Sequence, residues 1–140
     1  MSHRQVDIME QFLETLKARV GHILLKMGQF EPFRAILRHD GEIVEISSGL
    51  PPLVEITVEL LLKAARQDLA DTEIKASAIV LHGEAEGHEI IFIEIFTRPE
   101  KTYQTVFPYI IKDGTIKFGE DLNAQYHSDG KGKWKNIHLN

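Results

Sequence analysis

Imidazole and carboxylate side chains crowd one short stretch of this sequence, residues 82–89, which reads His-Gly-Glu-Ala-Glu-Gly-His-Glu. Both groups bind divalent metal ions when three or four of them converge at about 2 Å. A turn at Glu86-Gly87 would fold the stretch into a hairpin, where residues on one face approach each other. His82 and His88 are therefore candidate metal ligands, and a solvated acidic loop tip is the alternative.

A lone carboxylate interrupts the most apolar segment of the chain. Glu94 lies between Ile93 and Ile95, so that a strand would direct it to one face of a sheet and its neighbours to the other. A buried carboxyl group can act as an acid or a base, or hold a ligand. The alternatives are a structural ion pair with a nearby lysine or arginine, and partial exposure at the end of the sheet.

Three aromatic residues further along the chain are separated by even numbers of positions. Tyr103, Phe107 and Tyr109 share one face of a predicted strand, because side chains alternate along a strand. Large aromatic surfaces of this kind line apolar pockets and dimer interfaces. Packing within the core is the alternative reading of the same pattern.

A second apolar set lies on a helix predicted over residues 52–69. Val54, Val58 and Leu62 fall partly outside the main apolar stripe of that helix. The helix therefore carries apolar side chains around most of its circumference. We expect this extra apolar surface to meet a partner chain.

Motifs with a defined chemistry are missing from the sequence. It contains no glycine-rich dinucleotide or phosphate loop, no His-Glu-x-x-His and no Gly-x-Ser-x-Gly. Cysteine is also absent, which excludes disulfides, zinc thiolates and thiol nucleophiles. We therefore predict no catalytic residue and no cofactor, and the sequence favours a protein that is not an enzyme.

Charge and hydropathy bear on the partners. The chain has 140 residues and a net charge of −5, and an acidic protein lacks the clustered cations that bind nucleic acid. No apolar run approaches the roughly 20 residues that a membrane helix needs, so no membrane contact is expected. The first residues lack the apolar run of a signal peptide, which together with the absence of cysteine favours the cytoplasm.

Periodicity predicts one α+β domain over residues 1–140, with an irregular tail at 121–140. Its antiparallel sheet should contain about five strands, with two main helices, in the order α-β-β-α-β-β-β. Residues 90–96 are apolar on both faces, which is typical of a central strand, and residues 116–118 form a short extension. The predicted helices are 5–27 and 52–69, and the predicted strands are 30–38, 42–47, 74–84, 88–98 and 102–111.

Three residues of special backbone character refine this outline. Gly28 supplies a stop for the first helix. Gly21, inside that helix, marks either a close approach by another element or a break. Pro108 cannot donate a hydrogen bond to a neighbouring strand, which places its strand at an edge or a bulge.

Short segments of the sequence resemble those of a known family. They are Phe30–Leu37, which reads F-x-P-F-x-A-x-L, then Asp40-Gly41-Glu42, Ala76–Ile79 and Val106–Tyr109. Together they resemble a family of small bacterial proteins of unknown function, and this resemblance implies no activity. The element order is also similar to profilin-like and roadblock-like folds, whose members often dimerise or hold partner proteins.

These observations favour a non-enzymatic binding or protein-interaction domain that forms a homodimer or holds another protein. The alternative is a small-molecule-binding protein or an enzyme. It would use a pocket around Glu94 and the face formed by Tyr103, Phe107 and Tyr109. A concave pocket that contains Glu94 would favour this alternative.

Overall fold

The computed structural model describes residues 2–46, 58–85, 87–97, 101–122 and 137–139. Within these ranges the chain forms two helices and seven strands. In chain order they are α1 (Ser2–Met27), β1 (Phe33–Arg38), β2 (Ile43–Ile46), α2 (Val58–Asp68), β3 (Ile74–Ala85), β4 (His88–Thr97), β5 (Lys101–Lys112), β6 (Thr115–Phe118) and β7 (Ile137–Leu139).

The predicted α+β class and the predicted order of helices and strands are confirmed. The main sheet contains six strands in the order β2-β1-β3-β4-β5-β6, and all neighbours are antiparallel. The additional strand is β6, which pairs with β5 after a turn in which Asp113 (φ 54°) and Gly114 (φ 74°) are both left-handed. Such a turn fixes a hairpin even when the returning strand is too short to show periodicity.

The segment 121–140 was expected to be irregular, and the structure differs at its end. Ile137–Leu139 forms β7, which pairs antiparallel with residues 83–85 of β3. Because β4 already occupies the other edge of β3 along its length, β7 lies on the side where β1 pairs with residues nearer the start of β3. Three residues give too little pattern for sequence analysis to detect.

Helix α1 forms because its apolar residues repeat every three to four positions and its opposite side is charged. It ends at Met27, where Gly28 adopts a left-handed φ of 77° and donates its N–H to the Leu24 carbonyl at 2.8 Å. This is the stop that the sequence predicts. The buried stripe consists of Phe12, Leu16, Val20 and Leu24, each of which contributes roughly 1.5–3 kcal/mol by burial.

Gly21 lies where α1 meets the sheet rather than at a break in the helix. A Cβ atom at this position would come within 3.2 Å of the Ile116 side chain of β6. The helix is continuous through Gly21. The missing side chain therefore lets β6 approach α1 closely, which was one of the two readings of this glycine.

Strand β4 lies between β3 and β5, and its residues 90–96 are buried or half-buried on both faces. The prediction of a central strand is confirmed. Helix α1 covers one face of the sheet, over β1, β3 and β4. Helix α2 covers part of the other face, where Leu61 and Ala65 pack on Ile79, Leu81 and Phe96.

Pro108 lies at the point where β5 changes partners. Ile90↔Pro108 is the last pair between β4 and β5, and Tyr109↔Phe118 is the first pair between β5 and β6. The Pro108 carbonyl accepts a hydrogen bond from the Gly119 N–H at 2.8 Å. A residue without an N–H group is tolerated there because it sits at the margin of both pairings.

Candidate functional site

A groove of about 890 Å³ opens on the α1 face of the sheet, beside the C-terminal turn of α1 and the start of β1. Its lining combines apolar side chains with carboxylates and a histidine. The apolar side chains include Ile23, Met27, Phe30 and Phe33, and the polar ones include Glu31, Glu45, His82 and Glu89. Concave sites of this size and mixed character are typical of ligand-binding pockets.

His82 is the most buried polar residue in the groove wall, with 7% of its surface exposed. Its ring stacks on Phe30, with ring centroids 5.4 Å apart and an interplanar angle of 26°. Its Nε2 atom lies 2.7 Å from the Tyr109 hydroxyl oxygen and 2.8 Å from Glu89 Oε2. A buried imidazole, a phenol and a carboxylate thus converge on one nitrogen atom.

Strand register explains why these three residues meet. His82 pairs with Ile91 across the β3–β4 hairpin, and Ile91 pairs with Phe107 on β5. Glu89 lies two residues before Ile91 on β4, and Tyr109 lies two residues after Phe107 on β5. Because side chains alternate along a strand, Glu89 points to the same face as Ile91 and Tyr109 to the same face as Phe107. All of these side chains therefore point to the α1 face at the same end of the sheet.

The protonation of Tyr109 and the chemistry of a carboxylate decide which atoms of the cluster donate hydrogen bonds and which accept them. Burial, and secondarily the Glu89 carboxylate, raises the pKa of Tyr109 to about 12, so its hydroxyl keeps its proton at neutral pH. Nε2 of His82 offers either one hydrogen or one lone pair. Because a carboxylate can only accept, we assign the hydrogen to Nε2, which donates it to Glu89 and shares it with the Tyr109 oxygen. In this tautomer Nδ1 is an acceptor, and it has no hydrogen-bond partner among the described residues.

Glu94 lies on the opposite side of the sheet from this cluster. It is 8% exposed, and its Oε2 accepts a hydrogen bond from Gln104 Nε2 at 3.0 Å. The two residues are directly paired between β4 and β5, on the face that α2 partly covers. A hydrogen bond to a neighbouring amide therefore satisfies this carboxylate, where sequence analysis considered an ion pair.

The three aromatic candidates lie on the α1 face. Tyr103 is exposed, Phe107 is buried beneath the Lys17 ammonium at 4.2 Å from the ring centroid, and Tyr109 belongs to the His82 cluster. Since Glu94 faces the other way, the sheet separates it from all three. One pocket therefore does not contain all four residues. Tyr109 contacts His82 of the groove lining, and Glu94 has no part in that groove.

The two candidate metal ligands, His82 and His88, do not lie together. His88 pairs with Ala85, three residues from His82 on β3, so the two imidazoles belong to opposite faces. His88 is exposed, whereas His82 is buried. The described residues contain no group of three or more histidine, aspartate and glutamate side chains that could hold a metal ion.

The helix candidates are placed only in part. Val54 and the side chain of Val58 lie outside the described residues. Leu62 is half-buried and packs against the cluster formed by α2, β3 and β4. The described portion of α2 thus directs Leu62 toward the sheet.

A second, partly buried polar cluster joins α2 to the sheet. Asp68 Oδ2 accepts hydrogen bonds from Arg34 Nε at 3.0 Å and from Ser77 Oγ at 2.8 Å. The Arg34 and Asp68 side chains are 17% and 13% exposed. This cluster ties the end of α2 to β1 and β3, and sequence analysis did not detect it.

Sequence analysis also missed the convergence of His82, Glu89 and Tyr109. The sequence contained a signal for it, because the two-residue turn predicted at Glu86-Gly87 would place His82 on the same face as Glu89 and on the opposite face from His88. Grouping residues by chemical type concealed that pairing. Grouping them by predicted register would have found it.

No protein-family model matches the chain, and comparison with curated proteins and with solved structures likewise found no match. Within the described residues, neither helix combines the length and the apolar character needed to cross a membrane.

Proposed function

We propose that this chain is a non-enzymatic binding domain whose site is the groove beside His82. The observation that carries the proposal is a buried histidine in the groove wall, held at one nitrogen by both Tyr109 and Glu89. A polar group buried in this way is positioned before any ligand arrives, so binding it costs little ordering entropy.

The scaffold of the groove supports this role. His82 and Glu89 belong to paired sheet strands, and Ile23 belongs to a helix with a buried stripe. Sites on strands and helices hold their side chains more accurately than sites on loops. The apolar lining residues supply area that a ligand can cover, and the few polar groups fix its orientation.

The chemistry of the lining favours binding over catalysis. The described lining residues contain no serine, threonine or lysine that could act as a nucleophile. Tyr109 keeps its proton, and the Nε2 atom of His82 is engaged by two neighbours. The groove therefore offers hydrogen bonds and apolar contact, without a nucleophile and base in partnership.

A fragment library screened by ¹H–¹⁵N NMR tests the groove site. Fragments that bind should shift the amide signals of residues 28–31 and of Phe33, His82 and Glu89. Ile23→Trp should fill the groove and abolish these shifts. Leu25→Trp is the matched control, since Leu25 lies on the same helix but is exposed and outside the lining. The proposal fails if no fragment shifts these signals at millimolar concentration, or if both tryptophan variants bind equally well.

Self-association is the second candidate function, and exposed apolar residues at the end of β5 favour it. Ile110 and Ile111 are 56% and 46% exposed, and as neighbours on a strand they present apolar surface on both faces. Exposed apolar patches are typical of interaction sites. We propose that the β5–β6 hairpin contacts a second copy of the chain.

Sedimentation velocity tests this second candidate. The wild type should sediment as a dimer at about 100 μM, a concentration that populates a micromolar complex, and Ile110→Asp should dissociate it. Thr115→Asp, an exposed change on the same hairpin, should leave the dimer intact. A monomeric wild type at this concentration contradicts the candidate.

The cytoplasmic location, the absence of nucleic-acid partners and the family resemblance stay predictions. Cell fractionation with an antibody against the chain would test the location. A gel-shift titration with mixed-sequence DNA and RNA would test the absence of nucleic-acid partners. It should be run at low salt, because electrostatic binding is strongest under that condition.

A further inference from the structure

We infer that the ligand of the groove is a small organic cation, a primary ammonium group carried on an apolar body. The inference rests on the groove being a binding site, as proposed above. It adds the charge and the size of the ligand, which follow from the lining residues and from the hydrogen bonds left open around His82.

The charge of the groove is negative. Glu31, Glu45 and Glu89 line it, and the described lining includes no lysine or arginine. Arg19 approaches from the side, and its Nε donates to Glu45 Oε2 at 2.7 Å. With Glu45 neutralised in this way, Glu31 and Glu89 face no lysine or arginine among the described lining residues. An anionic ligand would meet like charge, whereas a cation is attracted.

The hydrogen-bonding groups match an ammonium donor. Glu89 keeps half of its side chain exposed and has acceptor capacity beyond its contact with Nε2. His82 Nδ1 is a buried acceptor with no partner among the described residues. An ammonium group has three N–H donors and no acceptor. It can therefore donate to Glu89 or to Nδ1, which lie on opposite sides of the imidazole ring, and the Phe30 ring face adds a cation–π surface.

The apolar lining residues and the groove volume indicate a small molecule. Ile23, Met27 and Phe33 provide contact for a hydrocarbon or aromatic body. The groove volume of about 890 Å³ falls in the range of roughly 300–1,000 Å³ that small-molecule sites occupy. We therefore assign the site to a free amine rather than to a lysine side chain of a peptide.

Three probes with one body and different charges test the inference. They are phenethylammonium, phenethyl alcohol and phenylacetate, titrated against the full chain with groove amide shifts as the readout. The ammonium should bind up to about fivefold more tightly than the alcohol, since a partly exposed charge contact contributes up to about that factor. Phenylacetate should not bind, and added salt should weaken the ammonium alone.

Two variants should move the affinity for phenethylammonium in opposite directions. Glu89→Gln removes an attracting charge and should weaken binding about two- to fivefold, and Arg19→Gln frees Glu45 and should strengthen it by a similar factor. Glu73→Gln is the control, because Glu73 pairs with Arg38 away from the groove. Binding of the alcohol should stay constant in all three variants.

The outcomes separate this inference from the proposed function. Equal binding of the ammonium and the alcohol overturns the cationic ligand but leaves the groove site in place. No groove shift with any of the three probes overturns the cationic ligand, and the proposed function falls as well only if the fragment library also leaves the groove signals unshifted. A short apolar peptide that contains lysine is a further arm, and tighter binding of this peptide than of phenethylammonium overturns the small-molecule assignment in favour of a protein ligand.

Discussion

The two faces of the sheet both bury polar groups, yet the groups have different surroundings. On the α2 face, Asp68 accepts hydrogen bonds from Arg34 and Ser77 between a helix end and two strands. On the α1 face, His82 is held by Tyr109 and Glu89, and it lies in the wall of a groove. The first cluster is enclosed by the elements it joins, and the second borders open space.

This difference separates structural polar groups from candidate functional ones. A buried charge pair whose members satisfy each other holds elements in place and offers little to a ligand. A buried imidazole with one engaged nitrogen and one open nitrogen retains capacity for another partner. Burial alone therefore does not identify a site, since Glu94 and His82 are almost equally buried.

The largest effect should come from breaking the enclosed pair. Asp68→Ala leaves the Arg34 charge without its partner in a mostly buried position, so the free energy of unfolding should fall by about 3 kcal/mol. Urea denaturation measures the change. Glu73→Ala removes the exposed partner of Arg38 and should cost less than about 1 kcal/mol. Equal losses in the two variants would contradict the enclosed character of the Asp68 cluster.

Removal of the Tyr109 hydroxyl should have an intermediate effect. Tyr109→Phe deletes one hydrogen bond but leaves His82 paired with Glu89, so the free energy of unfolding should fall by about 1 kcal/mol. Ser77→Ala is the matched change on the other face. It should cost a similar amount but leave groove binding unchanged, whereas Tyr109→Phe should alter it because His82 loses one restraint.

Alkaline pH should destabilise the groove face through Tyr109. Its pKa is raised to about 12 in the folded chain, against an ordinary value of 10.0. Between these values the unfolded chain releases the phenol proton while the folded chain retains it, so the free energy of unfolding falls as pH rises through this window. Below pH 10 the contribution of the Tyr109 hydroxyl to the free energy of unfolding is fully present. Urea melts from about pH 9 to about pH 12 should show a shallower decline in Tyr109→Phe.

The smallest effect is expected at Glu94. Glu94→Gln keeps a side-chain oxygen that can accept the hydrogen from Gln104, so the free energy of unfolding should change by less than about 1 kcal/mol. Urea denaturation at neutral pH checks this value, and the groove titrations should be unaffected because the sheet separates the two sites. A loss of ligand binding in this variant would show that the faces are coupled.

Much of the fold was predictable because it depends on local pattern. The stripe from Phe12 to Leu24 specified α1, and the two-sided apolar run at 90–96 specified a central strand. The sheet order was not predictable. β1 lies beside β3 although α2 intervenes in the chain, and that pairing depends on tertiary packing.

The candidate site was only partly predictable for the same reason. His82 and Tyr109 were each singled out, but separately, for a metal site and for an aromatic face. Their contact spans 27 positions and requires two hairpin registers to hold at once. Glu89 was part of the acidic stretch but carried no role of its own. The chemistry of single residues was readable, whereas their meeting point depended on strand parity.

The change of partner at Pro108 has a consequence for the protection of His82. Beyond Pro108, residues 109–112 of β5 pair with the four residues of β6, and the pairing with β4 has ended. Short terminal pairings open locally at much lower free energy than a central strand. The amide hydrogens of this hairpin should therefore exchange with deuterium well before those of residues 91–95. Each such opening would carry Tyr109 away from the imidazole and admit water to it.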